Sequence, residues 1–341
     1  MMQYKLFGNS GLRVSEVSLG TITFGTDWGW GADEKECRRM IDTYAEAGGN
    51  FIDTANRYTE GSSERIVGEC IASDRDHFVV ATKYTLFDRK GDVNFSGNHR
   101  KNMMRSVHES LKRLNTEYID VLWLHAWDFL TPVEEVMRGL DDLVRAGKVH
   151  YLGISDTPAW IVVRANTIAE LRGWTAFCGL QIEYSLLERT PERELIPMAK
   201  ALGMTVTPWG PLGGGALTGK YLKGESGRVS ENSVRRSERS NRIASVVVAS
   251  AEKMGVTPAQ LALRWTMQQE FSSVPIVGSS NAKQLQDSLG ALNITIPDDV
   301  MSQLDEVSRI DLGFPHNFLS KKDTRHVIYG GMLDRIVQDK V

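Results

Sequence analysis

Short apolar segments rich in β-branched and aromatic residues alternate along the chain with longer segments of helical periodicity. Apolar side chains at nearly every position of a short segment are typical of strands buried on both faces, as in a parallel sheet. Eight such strands are predicted, at residues 17–21, 51–55, 79–83, 119–125, 149–155, 177–184, 205–210 and 272–278. Eight helices are predicted among them, at 33–47, 62–72, 100–114, 132–146, 159–172, 192–202, 241–268 and 281–290.

The alternation of strand and helix predicts an α/β fold, a (β/α)8 TIM barrel that spans residues 1–341 as a single domain. The competing arrangement is an open, doubly wound sheet. Such a sheet should show a G-x-G-x-x-G turn after its first strand. The segment LGTITFGTDWGWG does not have that spacing, so the closed barrel is favoured.

Three segments fall outside the repeat. Residues 4–16 are typical of a hairpin around Asn9 and Gly11, which is expected to plug one end of the barrel. Residues 211–240 form a long loop after the seventh strand, and loops of this length are usually functional or mobile. Residues 310–341 form a C-terminal extension that is expected to fold back over an end of the barrel.

Composition narrows the class of ligand. The chain has 341 residues, of which 41% are hydrophobic and 24% charged, as in globular proteins. Its 40 basic and 43 acidic residues leave a net charge of -3, which attracts neither nucleic acid nor an anionic membrane, so a small-molecule substrate is expected. The N-terminus lacks a signal segment and no apolar run reaches the length of about 18 residues that a membrane helix needs, so a cytoplasmic location is expected. The 3 cysteines lack metal-ligand spacing, so no metal site is predicted.

Polar residues stand at the ends of three consecutive predicted strands: Asp53, Lys83 and His125, with Tyr58 in the loop after Asp53. Catalytic groups of such barrels lie at these strand ends, so the four side chains should converge. Together they suit carbonyl reduction, because the alkoxide left by hydride addition needs a proton donor. Tyr58 is the predicted donor, with a pKa lowered by Lys83. Asp53 would position Lys83, and His125 would orient the substrate oxygen.

Each of these residues also has a structural interpretation. Asp53 can cap a helix, Lys83 can be a solvated charge at the barrel rim, and His125 can be a hydrogen-bonded core histidine in VLWLHAW. Their joint occurrence on three consecutive strand ends favours a site.

From about Leu6 to Asn293 the chain resembles the aldo-keto reductase superfamily. The matching segments are GGNFIDTANRYTEGSSERIVGE, VVATK, SVHESLKRLNTEYIDVLWLHAWD, GKVHYLGIS, LQIEYSLLER and TPWGPLGGGALTGKY. The resemblance implies that the quartet is the catalytic tetrad of that family. It also implies a nicotinamide cofactor, NADP(H), bound across the barrel without a Rossmann domain, and direct hydride transfer to an aldehyde or ketone.

The resemblance further implies which residues bind the cofactor. Ser155, Asp156 and Gln181 are implied to hold the carboxamide, residues 210–220 to follow the pyrophosphate, and residues 278–288 to contact the adenosine and its 2'-phosphate. An aromatic ring on the seventh strand is implied to stack on the nicotinamide. In chain order the cofactor positions are Thr21, Asp53, Ser155, Asp156, Gln181, Trp209, Gly210, Pro211, Leu212, Gly213, Gly214, Lys220, Gly278, Ser280, Gln284, Asp287 and Ser288.

Some positions depart from the commoner family pattern. Asp156 replaces a frequent Asn, Gln284 stands where many members have Arg, and Asp287 with Ser288 replaces Glu-Asn. Losing that Arg removes a bidentate phosphate partner, so NAD(H) stays open beside NADP(H). Ser280, Lys283 or the arginines of 228–239 are candidates to compensate, and the alternative is that those arginines form a solvated loop face.

Two other functions stay open. One is a cofactor-binding regulatory subunit similar to potassium-channel β subunits, and the other is a Schiff-base aldolase that uses Lys83. The sequence leaves the oligomeric state open. An apolar substrate pocket is expected from the C-terminal aromatics together with Trp28, Trp30, Tyr84, Phe87, Trp127 and Phe129.

Overall fold

A computed structural model describes residues 1–225, 227 and 229–337 of the chain. Its strands are β1 (Tyr4–Leu6), β2 (Arg13–Ser15), β3 (Ser18–Gly20), β4 (Phe51–Asp53), β5 (Val79–Tyr84), β6 (Ile119–Leu124), β7 (Val149–Ser155), β8 (Phe177–Glu183), β9 (Thr205–Trp209) and β10 (Ile276–Gly278). Its α-helices are α1 (Glu34–Glu46), α2 (Ser62–Ile71), α3 (Arg100–Leu114), α4 (Val133–Arg145), α5 (Ala159–Arg172), α6 (Leu195–Ala201), α7 (Glu238–Met254), α8 (Pro258–Met267), α9 (Ala282–Leu289), α10 (Asp298–Ser308), α11 (His316–Leu319) and α12 (Lys322–Ile328).

Strands β3 to β10 form one parallel sheet in the order β10, β3, β4, β5, β6, β7, β8, β9. The two ends of the sheet meet through a parallel bridge between Val206 and Ser273. There Val206 N donates to Ser272 O at 2.8 Å, and Val274 N donates to Val206 O at 2.9 Å. The predicted (β/α)8 barrel is thereby confirmed.

The N-terminal hairpin is also confirmed, since β1 and β2 pair antiparallel. Phe7 lies in the turn of the hairpin and is fully buried. Its ring is edge-on to those of Phe51 and Trp123, with centroid distances of 5.7 Å and 5.9 Å. Gly8 N donates to Thr205 Oγ1 at 2.7 Å. Because Phe51 and Thr205 begin their strands, the hairpin closes the N-terminal end of the barrel and leaves the opposite end, the barrel mouth, to the loops.

The single helix predicted at 241–268 is wrong, because two helices, α7 and α8, occupy this range. Gly255 ends α7 in a left-handed conformation at φ 67°, which glycine adopts without steric cost. Thr257 begins α8 with a reciprocal cap: its side chain accepts from Gln260 N while the Gln260 side chain accepts from Thr257 N. Pro258 at the first helical position has no N–H to continue α7. Both helices bury an apolar face, so the helical hydrophobic period runs through the break and predicts one helix where there are two.

The last barrel strand is shorter than the predicted 272–278 segment, because β10 covers only Ile276–Gly278. Pro275 precedes it, and a proline has no N–H to donate to a sheet ladder. The Pro275 carbonyl still accepts from Ser18 N at 2.9 Å, so the segment stays joined to β3.

The long loop at 211–240 is anchored beside the barrel mouth by its arginines. Arg235 Nη2 donates to Glu183 Oε1 at 2.5 Å, at the end of β8. Arg239 donates to Leu187 O at 3.0 Å and to Ser308 O at 2.7 Å. These two arginines therefore bind partners within the chain, and Arg228 lies outside the described residues.

The C-terminal extension beyond α10 contributes no buried residue between 309 and 337. Two contacts link it to the segment before α6: His316 Nε2 lies 3.2 Å from Glu194 Oε1, and Arg193 Nη2 donates to Asp311 O at 2.8 Å. The expected fold-back is thus an edge contact with exposed helices, because the extension buries no apolar face. Within the described part of the chain, no helix has the length and apolar character required to cross a membrane.

Candidate active site

The four side chains predicted to be catalytic meet at the barrel mouth. Asp53 ends β4, Lys83 is the second-last residue of β5, His125 follows β6, and Tyr58 begins a 3-10 turn after β4. Lys83 Nζ donates to Asp53 Oδ2 at 2.5 Å, to Thr54 O at 2.8 Å and to Tyr58 Oη at 3.1 Å. The phenol oxygen accepts from Lys83, so its own O–H stays free to donate to a substrate.

Burial decides the charge state of this group. Burial raises the pKa of Tyr58 and the Lys83 ammonium only partly offsets it, so the pKa lies above its ordinary value and the predicted lowering is wrong. For Lys83, burial acts to lower the pKa, but the charge of Asp53 and the hydrogen bonds to Asp53 and Tyr58 act against it, and the pKa is raised. At neutral pH the site therefore contains an ammonium beside a protonated phenol.

His125 is neutral in this environment. Burial, and then the charge of Lys83, hold the pKa of His125 well below its ordinary value. Its ring lies edge-on to that of Tyr58, with centroids 6.2 Å apart and planes at 81°. Its Nδ1 is buried and lacks a hydrogen-bond partner among the described residues. A neutral imidazole has one N–H donor, which suits the oxygen of a carbonyl compound.

The turn that carries Tyr58, residues 58–61, has an uncommon backbone. Thr59 and Glu60 are both left-handed, at φ 45° and 54°. Each such residue costs about 1–3 kcal/mol, so surrounding contacts must hold it. Thr59 Oγ1 donates to Phe24 O at 2.5 Å, and Trp28 Nε1 donates to Glu60 Oε1 at 3.0 Å. The loop after β3 thus holds the turn that aims Tyr58 into the site.

Asp53 is also bound from the far side of the barrel. Gln181 Nε2, on β8, donates to Asp53 Oδ1 at 2.9 Å. Thr21 donates to the Asp53 carbonyl through its backbone N and its Oγ1, each at 3.0 Å. Gln181 and Thr21, which the resemblance assigns to the cofactor, therefore also position Asp53.

Two buried hydroxyls beside Gln181 have no partner in the described part of the chain. Ser155 and Thr207 flank Gln181 in the sheet register, and their side-chain oxygens are unpaired. Buried polar groups normally have a hydrogen-bond partner, so these two hydroxyls are candidates to bind a ligand or a water molecule. The sequence analysis does not predict Thr207 as a site residue, although the alternation of side chains along β9 places it on the same face as Trp209.

The remaining predicted cofactor positions lie around the mouth. Trp209 Nε1 donates to Asp156 Oδ1 at 3.2 Å, and burial raises the pKa of that carboxyl. Gly213 and Gly214 have φ of 57° and 66°, conformations that favour glycine. The Lys220 ammonium lies 4.9 Å from the ring centroid of Tyr221, with no carboxylate in ion-pair range among the described residues.

The positions around α9 are more engaged with the protein itself. Gln284 Oε1 accepts from Ser280 N at 3.1 Å, while its backbone N donates to Asn281. The Asp287 carboxylate accepts from Thr257 Oγ1 at 3.1 Å, at the start of α8. Ser288, one residue later, is buried, and Gly278 faces open space.

The donor set fits a nicotinamide dinucleotide. Two buried hydroxyls without a hydrogen-bond partner among the described residues, the Lys220 ammonium and left-handed glycines provide partners for a carboxamide and for phosphates.

One substrate-pocket residue was assigned wrongly. Tyr84 is fully buried among core side chains such as Met103 and Leu124, because it points away from the barrel axis. Sequence reasoning also passed over Arg57 and Glu60, which pair beside Tyr58. Their spacing of three residues in a polar loop is a common surface pattern and is not specific to a site.

The fold and the site together define a barrel enzyme in which a buried lysine donates a hydrogen bond to a tyrosine at the barrel mouth. The model of the aldo/keto reductase family matches residues 16–309, and the chain belongs to that family of oxidoreductases. It is similar to norsolorinic acid reductase of Aspergillus flavus, 38% identical over 332 residues, which cover 94% of this chain and 84% of that protein. It is also similar to aryl-alcohol dehydrogenase (NADP+) of Phanerodontia chrysosporium, 37% identical over 329 residues, covering 90% and 86%. The family resemblance seen in the sequence is confirmed.

Proposed function

We propose that this protein is an NADP(H)-dependent reductase of aldehydes or ketones in which Tyr58 donates the proton. The observation that carries the proposal is the direction of the hydrogen bonds: Lys83 donates to Tyr58 Oη, so the phenol proton is available to a substrate. A nicotinamide, when bound, supplies the hydride.

Each residue then has a step. The His125 N–H and the Tyr58 O–H hold the carbonyl oxygen, and Tyr58 transfers its proton as the carbonyl carbon receives hydride. The new C–H and O–H bonds make an alcohol, and the phenolate left on Tyr58 is stabilised by the Lys83 ammonium. Asp53 keeps Lys83 charged and in place through the 2.5 Å contact.

Aromatic carbonyl compounds are the proposed substrates, for two reasons. The relatives named above are a norsolorinic acid reductase and an aryl-alcohol dehydrogenase. Indole and phenyl rings also surround the mouth, with Trp30, Phe87 and Phe129 partly or largely exposed. NADP(H) is proposed as the cofactor because one relative is named for NADP+. NAD(H) is tested beside it, because Gln284 stands where many family members have an arginine. Cytoplasmic location and oligomeric state stay predictions.

The experiment follows NADPH and NADH oxidation with aromatic, aliphatic and sugar aldehydes. Tyr58→Phe should lose most turnover yet still bind NADPH, because the ring remains and only the proton donor is removed. Tyr4→Phe, an exposed tyrosine of the hairpin at the opposite end of the barrel, is the matched control. Wild-type turnover by Tyr58→Phe would contradict the proposal.

The two alternatives are separable in the same assays. A Schiff-base aldolase needs a neutral Lys83 amine, whereas the raised pKa of Lys83 keeps it an ammonium with three acceptors. Borohydride trapping of substrate on Lys83 would revive that function. A regulatory subunit would bind cofactor with little turnover of any aldehyde.

A further inference from the structure

Arg57, the residue before Tyr58, is held between two aromatic rings. Its guanidinium carbon lies 4.5 Å from the ring centroid of Phe87 and 5.8 Å from that of Trp28. Trp28, Arg57 and Phe87 belong to the loops after β3, β4 and β5. Because these neighbouring strands all end at the barrel mouth, the guanidinium lies at the mouth, next to the proton donor.

Most of the donors on Arg57 are not used by the protein. Nη1 forms an ion pair with Glu60 Oε2, and no other hydrogen bond of this guanidinium is found within the described residues. Its Nε and Nη2 therefore keep N–H groups for another acceptor. The side chain of Arg57 is 22% exposed and that of Glu60 50%, so the group is reachable from solvent.

An arginine with a purely structural role looks different in the same molecule. Arg75 also stacks on a ring, 4.3 Å from the centroid of Tyr118, and pairs with Asp120 at 2.6 Å. It donates in addition to Thr116 Oγ1, Phe78 O and Tyr118 O, so every arm of its guanidinium is bound. Arg57 likewise contacts aromatic rings and a carboxylate, but its Nε and Nη2 have no partner in the described part of the chain.

Bracing the Tyr58 turn uses only Nη1 of Arg57, through its ion pair with Glu60, and does not account for the other donors of the guanidinium. Thr59 and Glu60 are already held by Phe24 O and by Trp28 Nε1, neither of which involves the guanidinium. The rings of Phe87 and Trp28 hold the guanidinium of Arg57 in place, and its remaining N–H groups are not used by other described residues. A planar guanidinium with free N–H groups is suited to a carboxylate.

We propose that Arg57 recognises a negatively charged substituent, such as a carboxylate, on an aromatic aldehyde or ketone whose carbonyl group reaches Tyr58. The inference rests on the proposed carbonyl reduction and narrows its substrate class to acidic aromatic carbonyl compounds. The aromatic body of the substrate contacts the rings of Trp28 and Phe87, while the anion binds the open edge of Arg57. Glu60, which pairs with Arg57, limits the net attraction.

The test compares 4-carboxybenzaldehyde with 4-formylbenzamide, which has a similar shape and no charge, and repeats the comparison with the 3-substituted pair. The quantity measured is the ratio of kcat/KM for acid over amide. Comparing this ratio between variants cancels the intrinsic difference in reactivity of the two aldehydes. Arg57→Met should lower the ratio about tenfold, mainly through KM, because a charge-assisted hydrogen bond is lost. Glu60→Gln should raise it, because a competing carboxylate is removed.

The matched control is Arg138→Met on α4. Arg138 also lies over an indole ring, 5.7 Å from the centroid of Trp174, and pairs with Asp142 at 2.9 Å, but it is remote from the mouth. Its variant should leave the ratio unchanged. If Arg57→Met lowers kcat/KM equally for acid and amide, Arg57 only braces the turn and the inference is overturned. A Glu60→Gln ratio at or below the wild-type value overturns it as well.

Failure of the proposed function has a different signature. It would appear as no turnover of the neutral amide aldehyde by the wild-type protein with either cofactor. The recognition of charge is then measured without turnover, by calorimetric titration with 4-(hydroxymethyl)benzoate and 4-(hydroxymethyl)benzamide. Weaker binding of the benzoate alone by Arg57→Met supports the inference, and equal loss of both ligands overturns it.

Discussion

Asp53→Asn tests whether Asp53 and Lys83 form a buried ion pair in which both side chains are charged. The two side chains are 2% and 0% exposed, and their charged atoms are 2.5 Å apart. Asparagine keeps the size of the side chain and an oxygen for the bond from Gln181, but it removes the negative charge. Lys83 is then buried with only the neutral oxygens of Thr54 and Tyr58 as partners.

The expected loss of stability is large. Removing one partner of a buried ion pair costs about 3–5 kcal/mol, because the remaining charge is desolvated without compensation. The two remaining acceptors of Lys83 offset part of this cost. We therefore expect a loss near the lower limit, about 3 kcal/mol at pH 7, in the free energy of unfolding measured with urea.

The sign of the pH dependence follows from the pKa of Lys83. In the wild type that pKa is raised, so the stabilisation is complete at neutral pH and is lost only as pH rises through the folded-state pKa. In Asp53→Asn the charge that opposes burial is gone, and the hydrogen bonds to Thr54 and Tyr58 offset burial only in part. We therefore expect the pKa of Lys83 to be lowered, so that the unfolded chain binds the extra proton. The destabilisation should therefore shrink between pH 7 and pH 9.

Glu64→Gln is the matched control. Glu64 is fully buried behind the site, accepts from Thr82 Oγ1 and pairs with Arg113 Nε at 2.5 Å. Its loss also leaves an unpaired cation, but an arginine does not titrate below pH 12 or so, so this destabilisation should not change between pH 7 and pH 9. A pH-independent loss in Asp53→Asn, or a loss below about 1 kcal/mol, would refute the reasoning.

Three further predictions concern cofactor and proton transfer. Thr207→Val should keep or raise stability, because an unpartnered buried hydroxyl is removed, yet weaken NADPH binding by roughly threefold in fluorescence titrations; unchanged binding would contradict it. Gln284→Arg should raise the ratio of NADPH to NADH affinity about tenfold by adding a bidentate phosphate partner, and an unaltered ratio would count against that position. The raised pKa of Tyr58 and the lowered pKa of His125 predict kcat/KM for reduction that is flat from pH 6 to 8 and falls only in alkaline solution, whereas an inflection near 6.5 would show that His125 titrates.

Much of the fold was predictable because strand and helix have different hydrophobic periods. The order of the barrel strands follows from their order along the chain, and a polar residue at the end of each strand could be assigned to the mouth before any contact was known. The broken helix shows the limit of this reasoning: Gly255 and Pro258 mark the break, but the apolar faces of α7 and α8 continue the same period.

The candidate site was predictable in its members but not in its electrostatics. The spacing of Asp53, Tyr58 and Lys83 predicted that they meet, yet the pKa of Tyr58 is raised where a lowered one was expected. The direction of this pKa shift depends on how much of the Tyr58 side chain the neighbouring elements remove from water. Here the desolvation of the phenol raises its pKa more than the single nearby ammonium lowers it.

The sequence by itself determined the barrel, the hairpin and the four polar strand ends, since these depend on local periodicity and on which strand each residue ends. Only the tertiary structure decided the contacts between distant parts of the chain. Gln181 reaches Asp53 across the barrel, and Arg57 lies between Trp28 and Phe87 because three loops converge. Such contacts join residues far apart along the chain. They form only when the barrel closes and sets the distance between its loops.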